Sequence, residues 1–255
     1  MKKLAIILVL IAFQGKSQSY TVIHIIGKIY DTQSGSYLTK GAKVGSAANL
    51  RFDTEGARAA VLSSEKGRFV IQENANTATQ SDAVYALTSV ISPVRGRLST
   101  RAGSINNGLD FQKHFNEGTV ALLGDSYLLE ISPSAFPINE SKFFYVQYIY
   151  EGETINKKLG SDGDNLLIDL NAFFSIDGNA IDPSLVEMPK LYYYDVSKGS
   201  SKFITDMDIT FVPNETLKSL AGEFEENASG SIAEIINSLF GKCSLEQVEQ
   251  ALAKL

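Results

Sequence analysis

Residues 22–71, VIHIIGKIYDTQSGSYLTKGAKVGSAANLRFDTEGARAAVLSSEKGRFVI, decide the fold class. Val22, Ile23, Ile25 and Ile26 form one short apolar run, and Gly27 offers a turn or bulge before Ile29 and Tyr30. Leu50 and Phe52 alternate around Arg51, and Ala57, Ala59 and Val61 alternate around Arg58 and Ala60. Phe69, Val70 and Ile71 follow Gly67. Period-two patterning bounded by Gly, Ser and Asp marks half-buried strands rather than helices. Turn signals about every ten residues point to a small sandwich or roll of short antiparallel strands.

Outward from this stretch, the N-terminus reads as an export signal. Met1-Lys2-Lys3 is positive, Leu4 to Phe13 is apolar, and Ser17-Gln18-Ser19 places small residues before a cut at Tyr20. The apolar run is shorter than the roughly twenty residues of a membrane anchor. Residues 1–19 are therefore expected to be a signal peptide, with the mature protein periplasmic, at the cell surface or secreted. No further run is long and apolar enough to form a transmembrane helix, so none is expected after cleavage.

The order of features in residues 22–71 resembles the FecR-like β domain of bacterial envelope proteins. Gly27-Lys28-Ile29 matches its first strand, Leu38-Thr39-Lys40-Gly41 its Leu-x-x-Gly turn, and Ala57 to Leu62 its strand of small and apolar residues. Gly67 to Ile71 matches its last strand. Ala42 stands where the family often has Asp, and Lys66-Gly67 where it often has Asp-Gly. The resemblance implies a role in sensing or transducing signals, and covers only about a fifth of the chain.

Farther along, the reading predicts residues 20–118 as this β domain, and residues 119–212 as a second β section in the same sandwich or a separate one. A strand is expected over Ala83 to Ile91. Phe143 to Tyr150, FFYVQYIY, reads as a central strand, with Leu166–Phe174, Leu191–Val196 and Phe203–Val212 as further strands. Residues 213–255 read as a helical tail. Leu217, Leu220, Ala221 and Phe224 share one face behind a cap at Asn214, and Ser231 with Glu234 and Ser244 with Gln247 are capping-box pairs. The fold class is thus mainly β with a C-terminal α-helical tail.

Four groups of residues carry candidate chemistry. Arg95, Arg97 and Arg101 lie in an irregular stretch with Pro93, Gly96 and Gly103, and clustered guanidinium groups can grip carboxylates or phosphates. Tyr145, Tyr148 and Tyr150 with Tyr192, Tyr193 and Tyr194 can form an aromatic binding platform, Tyr192 and Tyr194 being its candidate contacts. Asp162, Asp164 and Asp169 are calcium candidates, although Leu166 breaks the helix-loop-helix calcium pattern. Cys243, just before a helix start, is a candidate thiolate with His114 as its base. His24, among isoleucines, reads as structural.

With one cysteine there is no thiolate-rich zinc site, and no phosphate loop or dinucleotide fingerprint is present. No cofactor is expected. The formal net charge of −6 argues against nucleic acid as the partner. These features together predict an exported, non-enzymatic binding or signalling-adaptor protein whose partner is another envelope protein or a surface glycan. The alternatives are a structural component of a surface complex, or a hydrolase using carboxylates or Cys243.

Overall fold

The computed structural model describes residues 19–63, 67–73, 84–94, 104–224 and 228–255. Residues 1–18, nearly all of the expected signal peptide, and the candidates Arg95, Arg97 and Arg101 lie outside them. The chain divides into two compact units, residues 1–91 and 92–255. Both are rich in antiparallel sheet, and the helices gather at the C-terminus, in agreement with the expected class.

The first unit contains strands β1 (Ser19–Ile26), β2 (Ile29–Asp31), β3 (Ser36–Tyr37), β4 (Lys43–Gly45), β5 (Asn49–Phe52), β6 (Arg58–Ser63), β7 (Gly67–Gln72) and β8 (Val84–Ala86). One sheet runs β4-β1-β6-β7 and the other β3-β2-β5-β8, every resolved pairing being antiparallel. Val22, Val61 and Ile71 of the first sheet bury with Ile29, Leu50 and Phe52 of the second in one core. The alternation read in residues 22–71 therefore becomes two sheet faces turned inward. Gly27 has a φ of 73°, and a Cβ there would sit 2.9 Å from that of Ala57. Only glycine combines that conformation with that approach. Residues 84–91, the described part of the strand expected over Ala83 to Ile91, depart from a single strand. β8 gives way to a helical turn, α1 (Leu87–Val90), which drops Leu87 and Val90 into the core, and β9 (Ile91–Pro93) spans the division between the units.

In the second unit, helix α2 (Gly108–Asn116) is capped by Asn107, whose side chain accepts from the Leu109 and Asp110 amides. It buries Phe111 and Phe115, one helical turn apart. β10 (Val120–Leu123) and β11 (Ser126–Glu130) follow, separated by Gly124 and Asp125, and they enter different sheets rather than pairing as a hairpin. Then come β12 (Lys142–Tyr150), β13 (Glu153–Lys158), β14 (Gly160–Asp162), β15 (Asn165–Asp169), helix α3 (Leu170–Phe173), β16 (Ser175–Ile176), β17 (Asn179–Ala180), β18 (Val186–Asp195), β19 (Ser200–Asp206) and β20 (Ile209–Val212). The expected strand over Leu166–Phe174 ends early because the Asp169 carboxylate accepts from the Ala172 amide and starts α3. That expected over Phe203–Val212 is two strands with a break at Met207 and Asp208.

The largest sheet is antiparallel, in the order β13-β12-β18-β19. A second runs β11-β15-β14, and β10 pairs with β20 in parallel. Phe111, Phe144, Val146, Tyr148, Leu166, Ile168 and Leu191 meet in a single core.

Helices α4 (Asn214–Ala221), α5 (Ser229–Leu239) and α6 (Leu245–Leu252) belong to this unit. The face expected there is buried through Leu217 and Leu220 and half-buried at Ala221 and Phe224, and Ile232, Ile235, Ile236, Leu239 and Val248 bury as well. Their starts were less legible. Asn214 is not a cap but the first helical residue, its amide donating to Asp125, and α5 begins two residues ahead of Ser231. The Ser244–Gln247 capping box is formed reciprocally. Gly241 closes α5 at a φ of 129°, with the Thr119 carbonyl oxygen only 2.4 Å from where a Cβ would stand. Among the described residues no helix is long and apolar enough to cross a membrane.

Candidate functional site

The candidate site is the outer face of the β13-β12-β18-β19 sheet. β12 turns back into β13 through Glu151 and Gly152, both at positive φ, the geometry of a two-residue hairpin turn that keeps strand twist. Side chains alternate across a strand, so the aromatics of β12 divide. Phe144, Val146 and Tyr148 face the core at 0% exposure, while Phe143 and Tyr145 face out, partly exposed. β18 divides in the same way, with Leu191 and Tyr193 inward and Tyr192 and Tyr194 outward.

Register then assembles the outward residues. Tyr145 lies opposite Tyr192 on one side and Lys158 on the other, and Tyr192 lies opposite Phe203. A single row, Lys158, Tyr145, Tyr192, Phe203, therefore crosses all four strands. The Tyr145 and Tyr192 rings stack at 5.1 Å and 9°, and Phe203 meets Tyr192 edge-on at 5.6 Å. The Tyr145 hydroxyl donates to Ser201 Oγ at 3.0 Å. Beside this row Phe143 packs on Tyr194 at 5.3 Å, with the Lys158 ammonium 4.3 Å from the Phe143 ring centre. Phe203 is 46% exposed, unusual for so large an apolar side chain.

The structure thus brings Tyr192 and Tyr194 onto one face and adds Tyr145. It removes Tyr148 and Tyr193, whose hydroxyls donate to the carbonyls of Phe173 and Pro137. Burial raises the pKa of both phenols, so each keeps its proton. Sequence reading missed Phe143, Phe203 and Lys158. Alternation alone separates Tyr193 from its neighbours, but the cross-strand partners depend on a register shift in β18–β19 between Leu191 and Tyr192.

Asp162 and Asp164 flank Gly163 in the β14–β15 turn, and Asp169 is spent on the cap of α3. Among the described residues no three His, Cys, Asp or Glu side chains are placed to hold a metal ion. Cys243 is buried rather than activated. Burial pushes its thiol up to about 12, against a smaller opposing effect from the Asn237 amide, which donates to Sγ at 3.2 Å. His114 is engaged elsewhere, its Nε2 lying 2.8 Å from the Tyr127 hydroxyl. Burial and then the Lys242 charge lower the His114 pKa to about 4, so the ring is neutral at pH 7. His24 sits half-buried on β1 with its pKa lowered by burial and by Lys40.

The chain matches no protein-family model and no curated protein.

The chemistry open to the outer face is recognition. Flat aromatic rings add large contact area with few rotatable bonds to freeze. Tyr145 and Tyr192 turn one face each to the other, and the Tyr145 hydroxyl is held by Ser201. A pyranose ring stacks on an exposed aromatic face. A protein surface accepts edges, hydroxyls and the apolar Phe203 together.

Proposed function

We propose that this chain is an exported, non-enzymatic binding protein of the bacterial envelope, and that it docks a partner protein on the outer face of the β13-β12-β18-β19 sheet. The observation that carries the reading is the aromatic row of Tyr145, Tyr192 and Phe203, held in register across the sheet, with the two tyrosines half-buried and Phe203 exposed. The signal-like residues 1–19 support export, and the resemblance of residues 22–71 to the FecR-like β domain supports an adaptor role. The mutual stacking of the two tyrosines favours a protein over a glycan.

The test compares the protein with a Tyr192→Ala, Phe203→Ser variant in crosslinking to envelope extract, with a glycan array in parallel. The expected result is a partner captured in defined stoichiometry by the parent and at least about tenfold less by the variant, as for interface anchors. Equal capture by both, or binding to glycans alone, overturns the reading.

A further inference from the structure

We propose that the outer edge of β20 is a docking groove for an extended peptide segment of a partner protein, bound by strand addition. In the parallel β10–β20 pair, the Val120 amide donates to the Asp208 carbonyl and the Gly124 amide to the Val212 carbonyl, at 2.8 and 2.9 Å. Parallel pairing uses alternate residues of a strand. Asp208, Thr210 and Val212 therefore face β10, and the backbone N–H and C=O groups of Ile209 and Phe211 face away from it. Among the described residues no strand pairs with that second edge.

This edge opens into a groove of about 550 Å³. One wall is the run Met207 to Phe211 itself, and the other is made by Phe174, Asp182 to Ser184, Val186 and Pro189. That Ile209, Thr210 and Phe211 all line it is telling. Successive side chains of a strand point to opposite faces, so three in a row can border one space only along the strand's edge. Phe174 and Phe211 pack at 5.0 Å to form an apolar floor. Met188, which precedes the lining residue Pro189, is held at a φ of 47° and is 58% exposed, and Leu185, between the lining residues Ser184 and Val186, is 47% exposed.

Three features define the occupant. Unpaired donors and acceptors at alternate residues call for another extended backbone, which is the recognition mode of sheet augmentation. The apolar floor calls for a β-branched or aromatic side chain. The charged residues in the lining, Asp182 and Asp208, are both acidic and exposed, so a Lys or Arg on the peptide is favoured. Asp208 accepts from the Thr119 hydroxyl and feels Lys242, whereas the Asp182 carboxylate, among the described residues, accepts from Ser184 two residues on. Asp182 is thus the stronger anchor. β18 begins in this groove at Val186 and ends on the aromatic face at Tyr194, so the two surfaces are distinct and separately testable.

The experiment follows amide hydrogen exchange of the full chain with a panel of synthetic peptides of about six residues. Each peptide alternates Val, Ile or Phe with Thr and carries Lys at both ends. At least one is expected to slow exchange at the Ile209 and Phe211 amides by about tenfold or more, an effect lost when its inward backbone amides are N-methylated. Replacing its lysines by Glu, or Asp182 by Asn in the protein, is expected to weaken binding by about threefold to tenfold. Unchanged exchange at both amides across the panel, or equal binding of the N-methylated peptide, overturns the proposal. So does concentration-dependent dimerisation that protects these amides without peptide, which would give the edge to a second copy.

Discussion

The two faces of the β13-β12-β18-β19 sheet are built from nearly the same residue types. Inside are Phe144, Tyr148 and Tyr193, and outside are Phe143, Tyr145, Tyr192 and Tyr194. The inner rings are roofed by α2 and by the neighbouring sheet, and their hydroxyls end on carbonyls. The outer rings lean on one another, with solvent as their roof. Chemistry per residue is equal, and what differs is the layer above. The parity of its position therefore decides whether an aromatic residue in this sheet enters the core or is left on the outer face.

The sharpest way to break that contrast is to truncate one ring on each side. Phe144→Ala removes a ring with no exposure from between Phe111, Phe136 and Tyr193. We expect a loss of about 3–5 kcal/mol in unfolding free energy by urea titration. A loss under about 1 kcal/mol would mean that the inner layer is loosely packed, and the distinction between the faces would fall.

The inner side also has a pH signature. Burial holds the His114 pKa down at about 4, against 6.5 for the free side chain. The unfolded chain then binds more protons than the folded one between those values, so folding stability rises with pH across that window. The contribution is fully present above pH 6.5 and is lost as pH falls toward 4. At about 1.4 kcal/mol per unit it is at most about 3.5 kcal/mol. Comparing parent and His114→Gln isolates it from the carboxylates, which also lose stability in acid. Parallel stability curves for the two proteins between pH 4 and 7 would show that His114 is not shielded.

An intermediate effect is expected at Tyr148. Its buried hydroxyl donates to the Phe173 carbonyl at 2.9 Å. Tyr148→Phe leaves that acceptor without its partner while keeping the ring, for a loss of about 1–2 kcal/mol by the same titration. Tyr145→Phe, whose hydroxyl reaches only the exposed Ser201, should lose less than half as much. Equal losses would erase the distinction between the layers.

Local patterning exposed some of this and concealed the rest. Alternation in residues 22–71 and the unbroken FFYVQYIY run are backbone-period signals, and both became sheet. The Ser244–Gln247 box is a contact between residues three apart, so it too was visible. Asn214 and Ser231 failed as caps because each helix start is set by what it packs against, here Asp125 for Asn214. Cys243 read as activated from its place before a helix, but burial beside Asn237 reverses the sign, and burial is a property of the fold. Phe203 and Lys158 joined the tyrosines only through pairing across strands far apart in sequence. Ile209 and Phe211 looked like ordinary strand residues, since an unpaired edge is defined by the strand that is missing.

The smallest stability effect is expected where the proposed function is greatest. Phe203 is 46% exposed and touches the sheet mainly through the edge of Tyr192. In Phe203→Ser much of the lost area was already in water, so the cost should be about 1 kcal/mol or less. Interface anchors, by contrast, commonly lose about 2 kcal/mol or more of binding energy on truncation, some thirtyfold in affinity. A protein that folds as well as the parent yet loses its envelope partner places Phe203 on the recognition side. A large loss of stability with binding intact would return it to the core, and the outer face would then be a packing surface awaiting a layer of its own.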